Sequence, residues 1–222
     1  MEQVPFRDAA LVDNPEPRVP SMLLLDTSGS MTGRPIEELN EGLKVYREQL
    51  LCDTLAVRRV EVAIITFGGK VSLVTDFVTA DQLQERQLKA SGNTLMGGAI
   101  HKALDLLDQR KLTYRSHGLA YYRPWAFLIT DGAPSDEWQS AAERIHGAEK
   151  EKSLAFFTVG VSGADFDVLK QLGPRTPLQL KGLRFQDLFQ WLSNSQKSVS
   201  RSSPGEEVRL ESPTAPDGWA AV

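Results

Sequence analysis

Short apolar runs alternate with segments of helical periodicity along most of the chain. VPSMLLLD, VRRVEVAIITF, RPWAFLIT and LAFFTVGV contain nearly continuous apolar stretches, which are typical of strands buried on both faces. Between them lie helical patterns such as IEELNEGLKVYREQLL, which follows Pro35, a residue well suited to the first turn of a helix. Strands alternating with helices predict an α/β fold with a doubly wound, mostly parallel six-stranded sheet and helices on both faces.

One strand should break the parallel pattern. Gly68 and Gly69 separate VRRVEVAIITF from KVSLVTDFV and mark a tight hairpin, so the strand near residues 71–77 is expected to lie antiparallel at an edge. Further along, SDEWQSAAERIHGAEKEK predicts a helix capped by its own Ser135 or Asp136. TPLQL is a candidate last strand, and FQDLFQWLSNSQKSV predicts a closing amphipathic helix.

The two ends of the chain differ in composition from its centre. Residues 1–18 are rich in proline and predict an irregular N-terminal segment, and residues 19–199 hold the alternating pattern of one domain. Residues 200–222 shift to Ser, Pro, Gly and Glu, as in a flexible tail, but they include the apolar Val208, Leu210 and Trp219. We therefore expect this tail to dock, either on its own domain or on a partner.

Composition limits the classes of function. The net charge of −4 and the scattering of 25 basic among 29 acidic residues argue against nucleic-acid binding. The single cysteine, Cys52, excludes an intrachain disulfide, fits a reducing compartment, and is expected to be a small buried apolar residue. The sequence has no secretory leader pattern and no apolar run of roughly 20 residues, so we expect a cytoplasmic protein that does not bind membranes.

Three short polar motifs carry the candidate chemistry: DTSGS at 26–30, SGNT at 91–94 and TDG at 130–132. Each lies where a strand or loop gives way to a helix. If the strand order is 3-2-1-4-5-6, the strands ending near Asp26 and Asp131 are neighbours at the point where strand order reverses, and ligands bind there in such sheets. Two carboxylates converging at one point repel each other unless a proton or a cation bridges them.

The neighbouring residue types favour a cation. Hard cations such as Mg²⁺ prefer oxygen ligands, and the Asp-x-Ser-x-Ser spacing directs three oxygen-bearing side chains at one point. None of the three motifs contains His or Cys, which disfavours zinc, copper and iron. The sequence therefore predicts a Mg²⁺ site, with Mn²⁺ or Ca²⁺ as alternatives, and the expected ligands are Asp26, Ser28, Ser30, Thr94 and Asp131.

DTSGSM, SGNTLMGGAI and FLITDGAPSD resemble the metal-ion-dependent adhesion site of the von Willebrand factor A-type family, over roughly residues 19–198. The resemblance implies the same five ligands, with Asp131 often acting through a water. The extended loop before the fourth strand and the tail SRSSPGEEVRL…DGW also resemble bacterial TerY-type proteins of the tellurium-resistance group. That finer resemblance implies a cytoplasmic adaptor in tellurium resistance or stress response, beside a protein kinase and a metal-dependent protein phosphatase.

The favoured hypothesis is a non-enzymatic binding module in which the metal accepts a Glu or Asp from a protein partner. Residues flanking the motifs are expected to form the surrounding contact surface: Met31, Arg34, Leu95 and Trp138. One alternative is a phosphotransfer or hydrolytic enzyme that uses Asp26 and a metal, although Ser28 stands where a dehalogenase-type phosphatase has its second Asp. The three histidines lie outside the motifs and suggest no base. The other alternative is a structural interaction domain with an unused metal site.

Overall fold

A computed structural model describes Leu11 and residues 14–221. Seven strands form one sheet in the order β3-β2-β1-β4-β5-β6-β7. The pairs among β2, β1, β4, β5 and β6 are parallel, and the two edge strands β3 and β7 pair antiparallel with their neighbours. The strands are β1 (Val19–Asp26), β2 (Val60–Phe67), β3 (Val71–Thr79), β4 (Trp125–Thr130), β5 (Ala155–Gly160), β6 (Leu178–Leu180) and β7 (Ala220–Ala221).

Helices cover both faces of this sheet, which confirms the predicted doubly wound α/β class. The helices are α1 (Arg34–Leu51), α2 (Ala56–Arg59), α3 (Met96–Ser116), α4 (Gln139–Lys150), α5 (Phe166–Leu172) and α6 (Phe185–Ser200). Helices α1 and α6 contribute to one apolar core, and α3, α4 and α5 contribute to the other.

The continuous apolar run of β1 divides its side chains between these two cores. Leu23 and Leu25 lie in the core beneath α1 and α6, whereas Met22 and Leu24 lie in the core beneath α3 and α4. Successive side chains of a strand point to opposite faces, so a strand covered on both sides carries apolar residues at consecutive positions. β1 therefore lies inside the sheet, between β2 and β4, and its last residue, Asp26, lies at the carboxyl end of the sheet.

The strand count differs from the prediction by one, because the tail adds a seventh strand. Ala220 and Ala221 pair with β6, and the Lys181 amide donates to the Trp219 carbonyl at 2.9 Å. Trp219 is buried with its ring centroid 5.6 Å from that of Trp191. A two-residue strand in a segment rich in Pro and Gly carries no period-two signal, so the sequence pattern alone could not reveal it.

Two local expectations are wrong. The segment expected to begin the second strand includes the short helix α2, because the Asp53 carboxylate accepts hydrogen bonds from the amides of Leu55 and Ala56 and thereby starts a helical turn. Cys52 is exposed rather than buried, because it lies just beyond the last turn of α1, where the chain leaves the core.

Trp125 and Trp191 lie in the core beneath α1 and α6. The irregular segment expected over residues 1–18 falls mostly outside the described residues, of which this stretch contains only Leu11 and residues 14–18. No helix within the described part of the chain is both long enough and apolar enough to cross a membrane.

Substitution of Trp219 tests how firmly the tail is attached. Trp219→Ala removes a buried indole, and we expect the free energy of unfolding to fall by about 3–5 kcal/mol, the usual range for such a truncation. Leu112→Ala is the control, because the Leu112 side chain is 62% exposed and its truncation should cost less than about 0.5 kcal/mol. Urea denaturation measures both values. Equal losses in the two variants would contradict the packed position of the tail.

Candidate metal centre

The carboxylate of Asp26 is completely buried at the end of β1 and is held by two donors. Its Oδ1 accepts a hydrogen bond from the Ser28 amide at 2.8 Å, and its Oδ2 accepts one from the Thr130 hydroxyl at 2.5 Å. Thr130 ends β4, the parallel neighbour of β1, so the pairing of these two strands brings the donor to the carboxylate. Both oxygens of Asp26 are thereby fixed in position.

Two serines connect Asp26 with the second carboxylate. The hydroxyl oxygens of Ser28 and Ser30 lie 3.0 Å apart, and the Ser30 hydroxyl donates to Oδ1 of Asp131 at 2.6 Å. Ser28 and Asp131 are buried, whereas Ser30 is exposed. The cluster is therefore buried on the sheet side and reaches solvent at Ser30.

The environment of Asp131 raises the pKa of its carboxyl. Burial raises the pKa of this carboxyl above its ordinary value, and the nearby charge of Asp26 raises it further. The hydrogen bond from Ser30 lowers the pKa but does not cancel the other two effects. A cation close to both carboxylates would remove this penalty, since an opposite charge stabilises the ionised form.

Thr94 belongs to the same cluster, although it arrives from a third loop. A methyl group placed on Gly132 would lie 3.4 Å from the Thr94 hydroxyl oxygen and 3.9 Å from the Ser30 hydroxyl oxygen. The carbonyl of Thr94 accepts hydrogen bonds from the amides of Met96 and Ser135, each at 2.9 Å. The Thr94 hydroxyl therefore lies beside the loop that carries Asp131.

Backbone contacts made through glycine hold the β2–β3 hairpin together with the loops at residues 26–30 and 91–94. The Gly69 amide donates to the Ser91 carbonyl at 2.9 Å, and the Gly29 amide donates to the Gly92 carbonyl at 2.9 Å. A methyl group on Gly92 would lie 2.3 Å from the Gly69 Cα, well inside contact distance. The β2–β3 hairpin, which the sequence identifies only as a turn, thus supports the loop that leads to Thr94.

The side chains in this cluster suit a hard divalent cation. Every candidate metal ligand in the cluster is an oxygen. These are the carboxylates of Asp26 and Asp131 and the hydroxyls of Ser28, Ser30 and Thr94. Within the described part of the chain, no group of three or more His, Cys, Asp or Glu side chains is placed to hold a metal ion. Metal binding here would therefore depend on the hydroxyl oxygens as well as on the two carboxylates.

Sequence reasoning missed the role of Thr130 and misplaced Asp136 and Met31. Thr130 belongs to the TDG motif, and its donation to Asp26 could have been anticipated from a polar residue ending a buried strand. Asp136 does not cap its own helix, since α4 begins only at Gln139; its carboxylate accepts from the amides of Gly97 and Gly98 in α3. Met31, expected at the contact surface, is fully buried, because the 3₁₀ turn Gly29–Met31 directs it into the core.

Substitution of Gly92 tests the close approach between loops. Gly92 and Gly118 both have positive φ, +78° and +66°, so a side chain at either position costs roughly 1–2 kcal/mol in backbone strain. Only Gly92 faces another backbone; nothing lies within 4 Å of a methyl group on Gly118. We expect Gly92→Ala to lower the free energy of unfolding by about 1–3 kcal/mol more than Gly118→Ala does, measured by urea denaturation. Similar losses in both variants would argue against the close contact.

Comparison with known proteins gives the same picture of the fold. The sequence profile of the von Willebrand factor type A domain matches residues 22–186. No curated protein matches the chain significantly. Several solved structures share the fold at low sequence identity, and the chain spans about half the length, or slightly less, of the first of them.

Three of these structures show how widely the fold is distributed. Proximal thread matrix protein 1 from the mussel byssus has a TM-score of 0.56 at 16% identity, covering 82% of this chain and 49% of its own. The pilus adhesin SpaC from Lactobacillus rhamnosus GG has a TM-score of 0.65 at 13% identity, covering 84% and 31%. The manganese-loaded TRAP protein of Plasmodium vivax has a TM-score of 0.51 at 19% identity, covering 70% and 62%. On its sequence match and its fold, the chain belongs to the von Willebrand factor type A domain family.

Proposed function

We propose that the protein is a metal-dependent protein–protein interaction module that binds a Glu or Asp of its partner. The observation that carries the proposal is the approach of two buried carboxylates, Asp26 at the end of β1 and Asp131 just after β4. The Ser28 amide donates to Asp26, the Ser28 hydroxyl contacts that of Ser30, and the exposed Ser30 donates to Asp131. Burying two like charges together is unfavourable unless a cation offsets them. The proposed ligands are Asp26, Ser28, Ser30, Thr94 and Asp131, with the ligation by Asp131 either direct or through water.

Mg²⁺ is the cation we propose, because an all-oxygen donor set with few carboxylates suits an ion that keeps several waters. Mn²⁺ and Ca²⁺ are the alternatives. Two structural relatives support a divalent cation in general. One structure of the mussel protein is described with zinc in its metal-ion-dependent adhesion site (MIDAS) motif, and the TRAP structure is described as manganese-loaded.

The cation would supply positive charge and an exchangeable coordination position for a carboxylate oxygen of the partner. The chain's own residues determine access to that position. Ser30 is exposed, so a partner side chain can approach from solvent, while burial of Asp26 closes the sheet side. Arg34 is exposed and Trp138 is half-buried, and each lies within a few residues of one of the three motifs. We propose that both, together with Leu95, form part of the surrounding contact surface.

Binding accounts for these residues better than catalysis does. Ser28 occupies the position where a dehalogenase-type phosphatase carries its second Asp, and its hydroxyl contacts Ser30 rather than a base. The imidazoles make contacts elsewhere: His101 with Ser140 and Arg144, His117 with the Thr113 carbonyl, and His146 with the Gln171 carbonyl. A turnover assay on a generic phosphoester tests the enzymatic alternative directly.

Two finer parts of the proposal rest on the resemblance to TerY-type proteins. The partners would be a protein kinase and a metal-dependent protein phosphatase in tellurium resistance or stress response, and the protein would act in the cytoplasm. We also propose that residues 19–199 act as one von Willebrand factor A-like domain with residues 200–222 as a docked tail. The carbonyl of Glu211 accepts from the Trp191 indole at 2.8 Å, which supports docking within the chain.

Metal binding is tested by replacing one carboxylate without changing its size. Asp26→Asn removes a charge from the cluster, and we expect it to abolish measurable Mg²⁺ binding by calorimetry. Asp53→Asn is a matched control, because Asp53 is also a buried carboxylate that accepts from a following amide, but it caps α2 outside the cluster. Equal Mg²⁺ affinity in the wild type and Asp26→Asn would rule out the assignment.

Partner binding separates direct coordination from docking elsewhere. A partner is first captured from native lysate with Mg²⁺ and again with chelator. The affinity of that partner is then measured for Thr94→Ala and for a chain ending near Ser200. Losing a partner carboxylate paired within an interface costs about 2–5 kcal/mol, or roughly a 30- to 5000-fold loss of affinity. We expect that loss with chelator and with Thr94→Ala. If only the tail deletion abolishes binding, direct coordination is wrong.

A further inference from the structure

Asp136 makes two hydrogen bonds that cross between loops of the cluster. Its Oδ1 accepts from the Gly97 amide at 3.0 Å, and its Oδ2 accepts from the Gly98 amide at 2.9 Å. These amides belong to the first turn of α3, where backbone donors have no partner within the helix. The Asp136 carboxylate, from the loop after β4, therefore caps the N-terminus of α3, the helix that follows Thr94.

A second set of contacts joins the same two loops through the backbone. The Ser135 amide donates to the Thr94 carbonyl at 2.9 Å. Gly97 lies so close to the facing loop that a methyl group there would be 1.8 Å from the Glu137 carbonyl oxygen and 3.0 Å from the Trp138 Cα. Residues 94–98 and 131–138 thus pack against each other with no side chain between them at Gly97.

From these contacts we infer that Asp136 is a positioning residue for the metal cluster, which fixes the Thr94 hydroxyl relative to the Asp131 carboxylate. The inference rests on the proposed metal-binding function. Asp136 is not one of the five proposed ligands; its two oxygens accept from the α3 amides. Its negative charge at the positive end of α3 strengthens the two bonds, so the two loops are held as one unit.

A positioning residue and an ordinary helix cap have different effects on metal binding. A cap alone affects the free energy of unfolding and leaves the metal affinity of the folded chain unchanged. A positioning residue changes the affinity through Thr94, and residues that orient metal ligands typically contribute about 10- to 100-fold. The effects of Asp136 and Thr94 should then overlap, because both substitutions remove the same oxygen from the cluster.

Mn²⁺ is the probe, because its bound waters can be counted from the relaxation of water protons. We expect Asp136→Ala to weaken Mn²⁺ binding about 10- to 100-fold and to add one exchangeable water, as Thr94→Ala does. The double variant Thr94→Ala/Asp136→Ala should bind no more weakly than Thr94→Ala alone. Asp136→Asn keeps one acceptor oxygen and should recover part of the affinity. Circular dichroism under the binding conditions confirms that each variant is folded.

Asp53→Ala is the matched control, since Asp53 also accepts from two amides at the start of a helix but lies outside the cluster. It should lower stability without changing Mn²⁺ affinity. Unchanged affinity in Asp136→Ala and Asp136→Asn, or losses that multiply in the double variant, would overturn the inference while leaving the proposed function intact. A wild-type chain that binds no Mn²⁺ would overturn the proposed function and the inference with it.

Discussion

The proximity of two carboxylates at the carboxyl ends of β1 and β4 is the constraint on which the site depends. Asp26 ends β1 and Asp131 follows β4 directly, and the parallel pairing of these strands brings both to one end of the sheet. Burial and the charge of Asp26 raise the pKa of Asp131, so the ionised pair is unfavourable without a counter-charge. The surrounding donors, Ser28, Ser30 and Thr130, keep the pair in place rather than letting it separate.

Much of this arrangement could be predicted from the sequence because it follows from local patterns. Apolar runs identified the central strands, and the motif ending each run placed Asp26 and Asp131 at the same end of the sheet. Thr94 was harder, since SGNT is a weak signal by itself, yet its hydroxyl lies beside Gly132 and Ser30. The assignment of these residues as metal ligands goes beyond the contacts and stays a proposal.

The remaining features depend on contacts between distant segments, which local patterns do not encode. Asp136 has the sequence position of an N-cap for its own helix but caps α3, because the loop before α4 lies against Gly97. β7 pairs with β6 where Trp219 lies buried beside Trp191, which is distant in the sequence. In both cases the residue type indicated the role, a helix cap for Asp136 and a buried side chain for Trp219. Tertiary packing decided which partner each one contacts.

The loop holding Asp26 is fixed at both of its ends, and this gives the cluster a rigid frame. β1 lies between two parallel neighbours, and α1 packs so closely on α6 that a methyl group on Gly42 would lie 2.6 Å from the Phe189 ring. Buried hydrogen bonds from Tyr46 to Gln196, and from Gln196 to Ser21, join α1, α6 and β1. Because these contacts join the elements on either side of the loop, the serines between β1 and α1 are held in place before any ligand arrives, and less conformational freedom is lost on binding.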